Sequence, residues 1–166
     1  MIITPAQTCG PLFGFAMTPA PVVQAVEEND PEAILVEGTI LDGAGEGVGY
    51  GAFVEMWSRN QTVRARALDG HFRTFIRKPE PLALANGQTA APHLDVRLVM
   101  RGLALPLLTK MYFPDEAEAN AVDPIYTSVP EEHRPQLVAL PGDSPRHFVF
   151  NVHLQGEDEA VFFTAD

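Results

Sequence analysis

The stretch Pro92–Pro114 reads PHLDVRLVMRGLALPLLTKMYFP. Side-chain character alternates from His93 through Leu98, and the run continues as Val99-Met100-Arg101-Gly102. An apolar turn follows at Leu105-Pro106, and a second strand-like run covers Leu107–Phe113. A period of two marks a strand with one face buried, so this stretch reads as two strands joined by a turn. On the first strand His93 and Asp95 point to the same face, because side chains repeat every second residue. Two potential metal ligands on one strand face, and Arg101 followed at once by Gly102, are the features that ask for a chemical reading.

Working outward, the same short-strand pattern recurs. Ala33–Leu41 is a strand, followed by a Gly-rich turn at Asp42–Gly47. That turn is not a phosphate loop, since no Lys-Ser/Thr pair follows and the next element is a strand. Ala52–Trp57 and Gln61–Leu68 alternate. Asp69-Gly70 is a hairpin signal, with His71–Arg77 expected as the partner of the preceding strand. Lys78–Ala91 reads as a loop with a turn at Asn86-Gly87. Pro114–Asn120 reads as a helix start with Asp115 as N-cap, and Val129–Gln136 as a second helix-like turn. Leu137–Leu140 is a short strand, His147–Leu154 alternates as one strand, and Ala160–Phe163 closes the chain. Pro19–Pro31 is a polar, Pro-flanked loop. The sum is an all-β, two-sheet β-sandwich of about eight to nine short strands, with one or two short helices. Residues 1–32 form an irregular N-terminal arm and linker, and residues 33–166 form the domain. Phe13 and Phe15 either anchor the arm to its own domain or carry it to a partner subunit.

Composition narrows the classes. The chain has 166 residues, 46% of them apolar, which suffices for one domain with a core. Fifteen prolines and 13 glycines are spread along it as turn punctuation. Acidic residues outnumber basic ones 22 to 11, a formal charge of −11 that repels phosphate backbones and excludes nucleic acid as a partner. The single cysteine, Cys9, rules out an internal disulfide framework and fits a reducing compartment. No apolar run has the roughly 20 residues of a membrane helix, and the N-terminus has no signal-peptide pattern. The expected location is cytoplasmic, with no membrane partner.

Residue chemistry alone leaves the site incomplete. The histidines are His71, His93, His133, His147 and His153. His147 and His153 read as surface or interface groups, and no His-x-His or His-Glu-x-x-His is present. His93 and Asp95 supply two ligands where a metal site needs at least three; a strand histidine without a metal is the competing reading. None of Ser58, Ser128 and Ser144 sits in a nucleophile elbow.

Several segments, in order, resemble the intradiol ring-cleaving dioxygenases, and within them the α-type chains. TPAQTCGPLFGF is similar to the family's T-P-S-Q-T-x-G-P-aromatic opening, and VEGTILDGAGEGVGYGAFVEMW to its Gly- and Trp-containing signature. FRTFIRKPEP resembles its F-x-x-T-x-K-P-G turn, and APHLDVRLVMRGL the α-type strand A-P-H-I-N-x-S-x-F-A-R-G. KMYFPDEAEAN and LQGEDEAVFF resemble the α-type R-x-Y-F-x-D-E-A-x-A-N and I-Q-G-E-G-E-T-V-F-F. The likeness runs through nearly the whole chain.

The resemblance implies a ferric centre held by two Tyr and two His, a donor set suited to a metal that activates a catechol. In this chain the His-x-His strand is matched by His93 and Asp95. The segment after Trp57 that would carry one Tyr is missing, and the loop Glu80–Ala91 that would carry the other has none. Tyr112 matches a family tyrosine that is not a ligand, and neither Tyr126 nor Tyr50 fits a ligand position. The expectation is therefore no catalytic residue and no metal in this chain, with His93 and Asp95 as remnant positions. Fe(III) is expected in a β partner, with αβ protomers in a higher oligomer. By the same resemblance Thr8, Gly10, Pro11 and Arg101 contribute to the partner's substrate pocket, although Leu12 stands where the family has an aromatic residue. Arg101 offers charge and a fork of donors to a carboxylated catechol such as 3,4-dihydroxybenzoate; the competing reading pairs it with a local carboxylate. Two further functions compete: a self-associating β-sandwich interaction module, a homodimer if no β chain exists, and an independent metalloenzyme adding His71 to His93 and Asp95.

Overall fold

The structure is a computed structural model that describes residues 7, 10, 17, 22–23, 25–48 and 51–164. Among them lie twelve strands. These are β1 (Val22–Val23), β2 (Ala33–Leu41), β3 (Ala52–Ser58), β4 (Gln61–Ala67), β5 (His71–Arg77) and β6 (Leu82–Ala83), then β7 (Thr89–Ala90), β8 (His93–Met100), β9 (Leu107–Tyr112), β10 (Leu140–Pro141), β11 (His147–Val149) and β12 (Val152–His153). Five of them are only two residues long, which is where the count exceeds the eight or nine expected. One sheet has the order β1-β4-β3-β8-β9. In the other, β2 is flanked by antiparallel β5 on one side and by parallel β11 and β12 on the other, with β10 at the edge.

The two sheets pack face to face because each strand alternates. Val54 and Met56, Val63 and Ala65, and Leu94, Val96 and Leu98 meet Val36, Ile40, Phe72 and Ile76 in one buried core. A second, smaller apolar cluster lies on the outer face of the first sheet, beside β9. It joins Ala91 and Tyr112 to Val129 and Leu137, and it is covered by the excursion between β9 and β10. That excursion contains a 3-10 turn at Pro114–Glu116, helix α1 (Ala117–Asn120), helix α2 (Pro124–Ser128) and a 3-10 helix at Glu131–Leu137.

Several local expectations are corrected. Asp69-Gly70 does make a tight turn, with Asp69 at φ 49° and Gly70 at φ 82°. It does not pair β4 with β5 along their length, however. It carries the chain from one sheet to the other, β4 pairing with β3 and β1, and β5 with β2. Alternation is the same for a hairpin and for a corner between stacked sheets, so the sequence does not separate them. His147–Leu154 is two strands, not one. The interruption falls where Gly38 abuts the chain: a Cβ at Gly38 would lie 1.9 Å from the Phe150 carbonyl oxygen. Asn151 turns its side chain to accept the Thr39 N–H at 3.0 Å. Asp115 makes no cap hydrogen bond; it pairs with Lys78 at 2.8 Å. The cap that forms is Asp123, on helix α2. Pro19–Pro31 contains edge strand β1, and of Leu137–Leu140 only Leu140 lies in a strand, β10, while Leu137 ends a 3-10 helix.

Candidate functional site

Strand β8 carries the candidate residues at its two ends. At its start, His93 and Asp95 face outward from the first sheet and line a cavity of about 770 Å³. The same cavity is lined by the β3–β4 turn, Ser58–Gln61, and by Lys78–Leu82. These are the two places where the expected tyrosines are missing. The short turn is a two-residue hairpin, Ser58 pairing directly with Gln61, so no chain is left there to carry a ligand.

Register decides what His93 and Asp95 meet. Antiparallel pairing of β8 with β9 sets Asp95 opposite Lys110 and His93 opposite Tyr112. The Lys110 ammonium donates to Asp95 Oδ1 and lies 3.2 Å from His93 Nε2. His93 Nδ1 is 2.8 Å from the Ala91 carbonyl oxygen. A carbonyl only accepts and an ammonium only donates, so the neutral ring carries its proton on Nδ1 and turns the Nε2 lone pair to Lys110. The imidazole stacks on Tyr112 with centroids 5.3 Å apart.

Behind this group sits Asp123, fully buried. Its carboxylate accepts from the Ala91 N–H at 2.7 Å, the Tyr112 hydroxyl at 3.0 Å, and the Ile125 and Tyr126 N–H groups at 2.8 Å each. It is the N-cap of α2 and the anchor of the strand just before His93 at once. Burial first, and the charge of Asp123 second, push the Tyr112 hydroxyl far above the ordinary tyrosine range. Tyr112 is therefore a neutral donor turned away from the cavity.

Two more cations of the cavity wall, Lys78 and Arg77, are also paired. Lys78 lies 2.8 Å from Asp115 and 2.6 Å from Glu116. Burial lowers its pKa, but these two hydrogen bonds outweigh burial and the net shift is upward. Arg77 binds Asp30 at 2.7 Å and Glu32 at 3.3 Å, and its hydrogen bond holds the half-buried Asp30 carboxyl below the usual range.

The donor set does not fit a ferric ion of the two-phenolate, two-imidazole kind. His93 is the one nitrogen donor, and its lone pair and the Asp95 carboxylate are already engaged by Lys110. Among the described residues no group of three or more His, Cys, Asp or Glu could hold a metal. His71, the third ligand considered above, lies on the other sheet, where its Nδ1 is 2.9 Å from Thr39 Oγ1, and it does not line this cavity.

At the far end of β8 the picture reverses. The Arg101 backbone N–H binds the Gly51 carbonyl at 2.7 Å. Its side chain is exposed and has no hydrogen-bond or ion-pair partner among the described residues. The local carboxylate of the competing reading is not found among them. Gly102 follows at φ 98°, a conformation suited to glycine. Leu105, four residues on, is 70% exposed. Gly10 is described and also has positive φ, 64°. Thr8 and Pro11 lie outside the described residues, as do Phe13 and Phe15.

Sequence reading missed Lys110 and Asp123. Lys110 was visible only as the first residue of KMYFP; its importance depends on register across two strands. Asp123 precedes a proline, a cap signal that stood unused. His147 is corrected too: it is half-buried, 2.9 Å from Glu37 through Nε2, and it accepts the Asp143 N–H at 3.1 Å.

Strand order and core together define a two-sheet β-sandwich, and comparison with known proteins gives its family. The chain is 32% identical to the protocatechuate 3,4-dioxygenase alpha chain of Burkholderia cepacia, covering 96% of each. It is 31% identical to the alpha chain of the same name from Pseudomonas putida, covering 96% of this chain and 95% of that one. The chain belongs to the intradiol ring-cleaving dioxygenase family. The alignment with the Burkholderia protein runs over 194 positions against the 166 residues here, so the relative has segments that this chain lacks. Among solved structures, the dioxygenase domain of a carbohydrate-binding fusion protein from Streptomyces sp. SirexAA-E superposes with a TM-score of 0.61 at 20% identity. It covers 95% of this chain and 99% of that domain, and it supports the fold alone. No protein-family model matches the chain. The family generally uses iron, and the name alpha chain implies a partner subunit. No helix among the described residues is long and apolar enough to cross a membrane.

Proposed function

We propose that this chain is the α, non-iron subunit of a protocatechuate 3,4-dioxygenase-like enzyme. That enzyme opens the ring of 3,4-dihydroxybenzoate between its two hydroxyl-bearing carbons, using O₂. The chain itself carries no iron; Fe(III) belongs to a β subunit with which it forms αβ protomers in a higher oligomer. Residues 1–32 act as arm and linker, residues 33–166 as the domain, and the complex is cytoplasmic. Arg101, with Thr8, Gly10 and Pro11 of the arm, contributes to the substrate pocket of the partner.

The observation that carries this reading is Arg101, an exposed guanidinium unpaired among the described residues beside an exposed Leu105. A planar fork of donors suits the carboxylate of a benzoate. Two described residues of the first 32, Gln7 and Met17, lie at the same end of the sheet. Arg64 donates to the Met17 carbonyl at 2.9 Å, and Gln7 and Met17 line a second cavity of about 290 Å³ with Arg97 and Leu105.

The test is co-expression with a family chain that has both tyrosines and the His-x-His strand. The pair is expected to show the red phenolate-to-iron absorption and ring cleavage, and this chain alone neither. Iron-dependent cleavage by the isolated chain would overturn the reading. So would a stable homodimer that binds no β chain, the outcome expected of an interaction module.

A further inference from the structure

We infer that Lys110 is a resident cation in the position of the lost metal: its ammonium holds His93 and Asp95 in a ligand-like arrangement and keeps a metal ion out. The reading above says only that the ferric donor set is missing. The inference here is that the site is filled, and that one side chain fills it.

Three observations converge on this. A carboxylate oxygen of Asp95 and the Nε2 lone pair of His93 meet at a single cationic atom, Lys110 Nζ. That is the arrangement two ligands make around a metal. Next, His93 has the supporting contact of a metal-bound histidine: its remote nitrogen donates to a backbone carbonyl, at Ala91. The ring is further fixed by stacking on Tyr112, and both Tyr112 and the Ala91 N–H are held by buried Asp123. The imidazole is thus oriented independently of Lys110. Lastly, the Lys110 side chain is only 15% exposed. An incoming cation would meet the ammonium at close range in a partly desolvated space, where like charges repel more strongly than in water. Lysine supplies a positive charge without a coordination sphere, so it neutralises Asp95 and needs no tyrosinate.

The experiment uses the isolated full chain and Co²⁺ as probe, read by visible absorption and titration calorimetry. The wild-type chain is expected to show no binding that depends on His93. Lys110→His removes the ammonium and sets a third ligand opposite Asp95, a two-His, one-carboxylate set. Its Co²⁺ affinity is expected to rise by about tenfold or more, the scale on which ligand shells tune metal sites. Adding His93→Ala to Lys110→His is expected to abolish the gain. His93-dependent Co²⁺ binding by the wild-type chain at the strength of Lys110→His would overturn the inference, and so would no gain in folded Lys110→His. A measurement on the wild-type chain needs no variant to fold: the imidazole ¹⁵N shifts of His93 above pH 8 are expected to show a protonated Nδ1 and a bare Nε2. The opposite tautomer would overturn the inference. None of these results depends on a β chain, so failure here leaves the subunit reading to its own co-expression test.

Discussion

The two ends of β8 differ in how they treat charge. At the His93 end the site's charged and ring groups are answered from within the chain: Lys110 serves Asp95 and His93, Ala91 serves the remote ring nitrogen, and Asp123 anchors the group from behind. At the other end, roughly 25 Å away along an extended strand, Arg101 is exposed and unanswered among the described residues. A site that has been retired can satisfy itself internally, because nothing must enter. A surface that serves a partner must leave its donors open until the partner arrives, since a guanidinium already paired would have to give up that partner before taking a new one. On the function proposed above, one strand would hold the remnant of one site and a contact for another.

The sharpest way to break the contrast is to remove the anchor of the closed end. Asp123→Ala leaves the Tyr112 hydroxyl and the Ala91, Ile125 and Tyr126 N–H groups without their acceptor. A loss of about 3–5 kcal/mol is expected, the range for breaking a buried, fully hydrogen-bonded charge. Urea unfolding measures it, and a midpoint close to wild type would show that the closed end is not held from behind. The open end predicts the reverse pattern. Arg101→Met should leave stability within about 0.5 kcal/mol. In the complex with a β chain it should lower kcat/KM for the carboxylated catechol about 10- to 100-fold, the worth of a charge-assisted hydrogen bond to substrate. A catechol without the carboxylate should be turned over as before; an equal loss on both substrates would move Arg101 out of the pocket.

How much of this was legible follows from where the information lies. β5 matches its sequence range because burial alternates strictly over its length, and β2 matches as an apolar-rich run closed by the Gly-rich turn after Leu41. Strand pairing was less legible. Nothing in HFVFNVHL says that its strands run parallel to β2, and nothing at Asp69-Gly70 says that the turn changes sheets. The missing tyrosines were legible as absences in two segments distant in sequence; only the fold shows that both segments wall one cavity. Lys110 was not legible, because a lysine on an alternating strand reads as a solvent-facing charge until its cross-strand neighbours are known. Residues that act through pairing across strands are seen only once the register is fixed.

A smaller effect probes the Lys110 contact itself. Lys110→Met keeps most of the stem and removes the charge, leaving Asp95 and His93 Nε2 unanswered. Because the Lys110 and Asp95 side chains are 15% and 32% exposed, water compensates in part. A destabilisation of about 1–2 kcal/mol is expected in urea. A more stable variant would mean that the ammonium is strained in its place rather than held there.

The smallest effect separates the two ends by pH. Tyr112 is held above its ordinary value of 10.0, by burial first and by Asp123 second. The folded chain therefore keeps that proton where the unfolded chain releases it. The stabilisation is complete below about pH 10, and it fades as pH rises beyond, with a slope of up to about 1.4 kcal/mol per pH unit for one proton. Lys78, also shifted upward from 10.5 on balance, loses stability in the same direction. Tyr112→Phe should cost about 1 kcal/mol at neutral pH for the lost hydrogen bond to Asp123. Between pH 10 and 11 it should then unfold with a shallower pH slope than wild type, the remaining slope belonging to Lys78. Parallel slopes in the two proteins would mean that the Tyr112 hydroxyl is not kept neutral by the closed end, and that the support behind His93 is looser than the Asp123 hydrogen bonds imply.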